Sequence, residues 1–199
     1  MYMKQHEELY SSDGVFGAVG YGSPAVSKGL KAATYLIQFG DFEKKKILCV
    51  GSGNGFEAVK FIQHGCDVTI LDMYKPDVEI LKGKQVKGYA QDLPFEDKEF
   101  DLYFCCEMME HVEKEHTIPI LKEAKRVSDN VFFTIAEKPD PPYNTHINLE
   151  KFTYWHSLFE DLGFEILNAQ HCPRLPLLVS KSKVLLSAWK NGILIYAKC

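Results

Sequence analysis

No apolar run in the 199 residues approaches the ~18–20 needed to cross a bilayer, so an integral membrane protein is not expected. The opening MYMKQHEELY is polar, carries charges of both signs and lacks the apolar h-region of a secretory leader. No Cys-x-x-Cys occurs among the six cysteines, Cys49, Cys66, Cys105, Cys106, Cys172 and Cys199. The adjacent Cys105-Cys106 would make a poor structural disulfide, so all six read as reduced thiols of a cytoplasmic protein. Their spacings do not gather four zinc ligands, and no metal is expected. A strong charge of one sign is missing too, since 23 basic and 27 acidic residues leave a net charge of −4. That balance gives no general attraction to anionic lipid or nucleic acid, and no basic stripe with interleaved aromatics marks a nucleic-acid partner. The one dense basic run, Lys44-Lys45-Lys46, reads as the solvated start of a strand. Repeats and linkers are absent, and at ~100–200 residues per domain the chain holds one, residues 25–199, behind an arm or lid at 1–24.

What is present is an alternation. AVSKGLKAATYLIQF, residues 25–39, spaces apolar positions at three and four and predicts a helix. Short apolar runs follow at Ile47–Val50, Val68–Leu71, Phe100–Cys105 and Val131–Ala136, with a shorter strand at 86–89. Helical registers separate them at 55–64, Val78–Leu81 and 113–127, and a further helix spans 149–162 before Gly163. Phe164–Leu167 and Ile193–Ala197 read as late strands, with a less regular hairpin or helix at 180–189. This pattern predicts an α/β, Rossmann-like three-layer sandwich, with a seven-stranded, mostly parallel sheet and an antiparallel last strand. Ligands of such sheets bind where the strand order reverses, at the carboxyl ends of the strands.

The strongest local signal is ILCVGSGNGFEAV, residues 47–59. A buried strand runs into Gly51-Ser52-Gly53-Asn54-Gly55 and then a helix. Glycines let the backbone approach a ligand, and the helix start offers unpaired N–H groups. A dinucleotide fingerprint would place its third glycine at 56, where Phe56 stands, and no Gly-Lys-Ser/Thr marks a Walker loop. Asp72 closes the second strand, 21 residues after Gly51. A carboxylate there can accept from both hydroxyls of a ribose.

With these residues the chain resembles the class I S-adenosylmethionine-dependent methyltransferases, in particular their small type 11 branch. Gly51–Gly55 looks like the family's first motif, Asp72 matches its ribose-binding acid, and Met73 follows it. Gln91-Asp92-Leu93-Pro94-Phe95 looks like the third motif, whose acid, here Asp92, meets the adenine amino group beside Leu93. Phe100-Asp101-Leu102-Tyr103 through Glu110-His111-Val112 resembles the segment around the fourth strand, which implies Cys106 and Glu107 by the methionine end. LKEAKRV at Leu121–Val127 and Gly163-Phe164 also fit, so the likeness covers roughly residues 30–170. One departure stands out: the family usually carries an acid two residues before the first glycine, and here that residue is Cys49.

The resemblance implies S-adenosylmethionine as cofactor, S-adenosylhomocysteine as product and a small-molecule acceptor such as a sugar or another polar metabolite. HINLEKFTYWHSLFEDLGF, His146–Phe164, is similar to a segment of family members acting on such molecules. An activated methyl donor asks the protein mainly to align the acceptor and exclude water. His111 is the candidate catalytic base, with a brace of the loop as its structural alternative. Tyr10 and Tyr21 in the arm, and Tyr143 and His146 in the proline-rich 137–148 loop, are candidate substrate contacts, with plain packing as the alternative. Trp155 and Phe159, four apart, read as core-facing. Two other readings stay open: a non-catalytic or partner-dependent S-adenosylmethionine-binding module, for which Cys49 speaks, and a nicotinamide-dependent oxidoreductase.

Overall fold

A computed structural model describes residues 24–53, 55–74, 84–142, 144–172 and 192–199. Helix α1 (Pro24–Phe39) leads into β1 (Lys46–Val50), α2 (Phe56–Gln63), β2 (Asp67–Asp72), β3 (Gln85–Lys87) and β4 (Phe100–Cys106). Two single 3₁₀ turns, Met109–His111 and Lys114–His116, precede α3 (Thr117–Val127) and β5 (Ser128–Ala136). Helix α4 (Phe152–Asp161), β6 (Glu165–Cys172) and β7 (Gly192–Lys198) complete the order. The expected elements at Val78–Leu81 and 180–189 lie outside the described residues, as does the arm before Pro24.

The seven strands run in the order β3-β2-β1-β4-β5-β7-β6. The first five are parallel, and β7 is antiparallel to both β5 and β6. Chain direction across the sheet reverses between β1 and β4, so the switch point lies at their carboxyl ends.

Alternation along the strands fills two cores. Ile47 and Cys49 of β1 face one side, with Ala32, Ala33 and Leu36 of α1 and Phe61 of α2. Leu48 and Val50 face the other, with Leu121 and Ala124 of α3 and Trp155 and Phe159 of α4. Trp155 and Phe159 are fully buried, as their spacing predicts. Phe61 meets Phe104 edge-on at 5.2 Å between ring centroids, and Phe159 meets Phe133 the same way at 5.3 Å. Truncating a fully buried Phe of this kind costs about 3–5 kcal/mol.

Two boundaries differ from the periodicity. The helix expected from 113 begins at Thr117. Pro119 lacks an N–H and fits only a helix's first turn, which fixes the start near it. The helix expected from 149 begins at Phe152. Residues before it are held extended, because Ile147 and Asn148 donate their N–H groups to the Glu110 carbonyl and Phe152 N–H donates to Glu137 Oε1. Among the described residues no helix is long and apolar enough to cross a membrane.

Candidate active site

A cavity of about 180 Å³ opens at the switch point. Its floor is the glycine loop after β1. Gly51 has φ +68° and donates its N–H to the Leu71 carbonyl at 3.0 Å. A Cβ there would stand 2.5 Å from Met108 Sδ, so side-chain packing and backbone both require glycine. Gly53 has φ +49°, and a Cβ on it would meet nothing within 4 Å, because it faces the open cavity. Gly55, at φ +67°, ends the loop at the start of α2.

Asp72 ties this loop to β2. Its Oδ2 accepts the Gly53 N–H at 2.8 Å and its Oδ1 accepts the Tyr74 N–H at 2.9 Å. Burial pushes its carboxyl up, and these backbone donors pull against that shift. A carboxylate has about four lone-pair sites, more than these backbone donors use, which leaves acceptor capacity for a ligand's hydroxyl. Gly88 N–H donates to the Asp72 carbonyl, which brings Tyr89, Ala90 and Gln91 to the next wall.

The opposite wall follows β4. Glu107 sits at φ +55°, a left-handed conformation for a side-chain-bearing residue, and its N–H donates to the Thr134 carbonyl at 2.9 Å. Strain of this kind gathers at functional sites. Glu107 Oε2 pairs with Lys28 Nζ from α1, while the buried Oε1 has no hydrogen-bond partner among the described residues. Burial alone would lower the Lys28 ammonium, but Glu107 outweighs it and the net shift is upward. Glu110 is fully buried and neither carboxylate oxygen makes a hydrogen bond of ordinary geometry with a described residue. Burial, and then Glu107, push its carboxyl well up against partial relief from backbone groups and Lys28.

His111 lines the cavity beyond Glu107. Its Nδ1 lies 3.2 Å from the Thr145 carbonyl, and its ring stands edge-on to His146, centroids 4.7 Å apart. The fold thus unites two histidines that the sequence separates by the whole of α3 and β5. Asp140 holds the loop that carries His146, accepting from Thr145 Oγ1 and from the His146 N–H.

Of the residues singled out from sequence, Gly51, Gly53, Asp72, Met73, Gln91, Glu107 and His111 line the cavity. Asp92 and Leu93 do not. Asp92 is exposed in the turn that its N–H closes onto the Tyr89 carbonyl. Leu93 is buried, its N–H on Glu123 and its carbonyl on Arg126, so it belongs to the core clamp. Ser52, Gly55, Cys106 and His146 are also off the lining, and Cys106 Sγ accepts from Thr134 Oγ1 at 2.9 Å. Asn54, Tyr10, Tyr21 and Tyr143 lie outside the described residues. Cys49 is fully buried in the α1–α2 core, where burial pushes its thiol well up.

Lys28, Glu57 and Glu110 escaped the sequence reading. Lys28 shares an i, i+4, i+8 stripe with Ala32 and Leu36, and a lysine on an apolar stripe is a readable signal. Glu57 interrupts the apolar face of α2; its carboxyl, packed against Gly29, is pushed up to about 7, chiefly by burial.

Residues 48–130 match the family described as "Methyltransferase domain", type 11. That segment, from β1 into β5, resembles the methyltransferase domain of that branch. Relatives include the ubiquinone biosynthesis O-methyltransferases of Rickettsia bellii, 25% identical over 142 residues, and Rickettsia typhi, 31% identical over 86. The first match covers 63% of this chain and 56% of the relative, and the second 39% and 35%. The matches thus span little more than half of the first relative's length and about a third of the second's. By fold, the chain resembles the Burkholderia thailandensis 1,6-didemethyltoxoflavin-N1-methyltransferase, solved with S-adenosylhomocysteine, with TM-score 0.67 and 15% identity over 99% of this chain and 86% of that one. An S-adenosylmethionine-dependent methyltransferase from Aquifex aeolicus gives TM-score 0.59 and 18% identity over 88% and 93%.

Proposed function

We propose that the cavity binds S-adenosylmethionine and that the domain transfers its methyl group to a hydroxyl-bearing small molecule, a sugar or another polar metabolite, leaving S-adenosylhomocysteine. The observation that carries this reading is the open space over Gly53 beside the backbone-anchored carboxylate of Asp72, at the sheet's switch point. The residues fit the cofactor. Asp72 would hold the ribose, and Gly88–Gln91 would flank the adenine, with Asp92 one residue further out. Gly51 would border the methionine end, with Ser52, Asn54 and Gly55 completing the loop. Glu107 Oε1, buried and without a partner among the described residues, is the acceptor an ammonium would satisfy.

Bound there, S-adenosylmethionine supplies an already activated methyl group. The chain's own task is to align the acceptor, exclude water and take a proton. A carbonyl only accepts, so His111 Nδ1 carries the hydrogen toward Thr145 and Nε2 is the basic nitrogen of the neutral ring. His111 is thereby oriented as the base for a hydroxyl acceptor, and the names of the Rickettsia relatives favour oxygen as the nucleophile. Tyr10, Tyr21, Tyr143 and His146 are the proposed acceptor contacts. The binding-module reading leans on Cys49, but that thiol lies in the core, away from the cavity lining. Incubation with methyl-labelled cofactor and a panel of hydroxylated metabolites tests the proposal. Labelled product should form with at least one acceptor and fall by about 100-fold or more in His111→Ala. Tight cofactor binding with no turnover on any acceptor would favour the binding module instead.

A further inference from the structure

We propose that Glu110, His111 and His146 form a binding site for a divalent transition-metal ion of the zinc class, behind the stretch of cavity wall that His111 forms. Ligand-capable atoms of the three side chains lie within 4.8 Å of one another. Ligands about 2.0–2.2 Å from a tetrahedral zinc stand about 3.3–3.6 Å from one another, so side-chain shifts of up to about 1.5 Å close the site. Two histidines and one carboxylate are a donor set that suits zinc and iron and keeps a position open for a further ligand.

Two independent features favour a cation there. The first is the Glu110 carboxylate, fully buried, with neither oxygen in a hydrogen bond of ordinary geometry among the described residues and only partial relief from nearby backbone groups. A buried carboxylate in that state calls for a proton or a cation, and Lys28, the nearby ammonium, is bonded to Glu107 instead. The second is the orientation of the two rings. His111 Nδ1 faces the Thr145 carbonyl at 3.2 Å, and His146 Nδ1 faces the Lys138 carbonyl at 2.5 Å. Each carbonyl fixes the hydrogen on Nδ1 and makes Nε2 the lone-pair nitrogen, the outer-shell arrangement that metal-ligating histidines use. The cysteine spacings offered no ground for a metal; the grouping exists because the 137–148 loop folds back onto the turn after β4.

The use of the site, though not its existence, rests on the methyl-transfer reading. An acceptor hydroxyl at the ion's open position loses its proton to solvent more readily. The acceptor oxygen then bonds to the methyl carbon as the carbon–sulfur bond breaks and its electron pair stays on sulfur. His111 is in that case a ligand, and the ion does the work assigned above to the imidazole.

The test titrates the full chain, stripped with chelator, with Co²⁺ followed by visible absorption, then with Zn²⁺ as competitor. One equivalent should bind, and zinc should displace it. His146→Gln and Glu110→Gln, checked for folding by circular dichroism, should each weaken binding by more than about 100-fold. His156→Gln, on the surface of α4, should change nothing. Absence of stoichiometric binding, or unaltered affinity in folded His146→Gln, overturns the proposal. So does loss of binding in His116→Gln alone, which would move the ion to Glu113, Glu115 and His116. S-adenosylhomocysteine titrated in parallel separates the claims: cobalt bound at these residues without it supports the metal site and counts against the methyl-transfer reading.

Discussion

At the ends of β1 and β2 the site is made of backbone, while across the cavity, after β4, it is made of charged side chains. On the first side Gly51 and Gly53 take left-handed conformations, and Asp72 accepts two N–H groups. On the second side Glu107, Glu110, Lys28 and the two histidines meet, with carboxylate oxygens that no described residue bonds in ordinary geometry. A backbone-built wall is fixed by folding itself and suits an invariant ligand. A wall of buried, incompletely satisfied side chains costs stability and makes sense where a ligand or ion completes it.

Breaking the backbone wall should have the largest effect. Gly51→Ala places a methyl against Met108 at an unfavourable φ and should cost about 2–4 kcal/mol, whereas Gly53→Ala meets open space and should cost only about 1–2, both read by chemical denaturation. Gly53→Ala should nonetheless weaken S-adenosylhomocysteine binding, because its methyl enters the cavity.

Next comes the pH dependence of Glu57. Its folded value near 7 lies above the ordinary 4.5, so burial penalises the charged form. Between those values the native state holds a proton that the unfolded chain lacks, and stability falls as pH rises. Above 7 the full penalty, about 3 kcal/mol, stands. Glu57→Gln should therefore stabilise the protein by up to that amount at pH 8 and by little at pH 4, measured by denaturant unfolding at both.

Asp72→Ala removes a charged acceptor from the ribose position and should weaken S-adenosylhomocysteine by about 1.5–3 kcal/mol in calorimetric titration. An unchanged affinity would break the ribose assignment. The smallest effect belongs to Tyr103→Phe. The buried Tyr103 hydroxyl has no hydrogen-bond partner among the described residues, so its loss should be neutral or stabilise by up to about 1 kcal/mol in thermal unfolding.

The same contrast explains what could be read in the sequence. Strand–helix alternation and the two-face patterning of β1 predict the three layers, because burial acts on local period. Gly51, Gly53 and Asp72 were legible because glycine and a fixed spacing are the direct trace of a backbone constraint. Helix starts at Thr117 and Phe152 were not, since Pro119 and the Glu110 carbonyl decide them through contacts that periodicity ignores. Asp92 and Leu93 matched a motif, yet the Arg126–Glu123 clamp turns one outward and the other into the core. The meeting of Glu110, His111 and His146 is wholly tertiary and leaves no local pattern.

The central claim is that the cavity holds a sulfur-linked adenosine, not a dinucleotide. Thermal unfolding of the full chain with S-adenosylmethionine, S-adenosylhomocysteine, NAD and NADP in parallel tests it most directly. The two sulfur compounds should raise the melting temperature and the two dinucleotides should not. A shift with a dinucleotide and none with either sulfur compound would contradict the account.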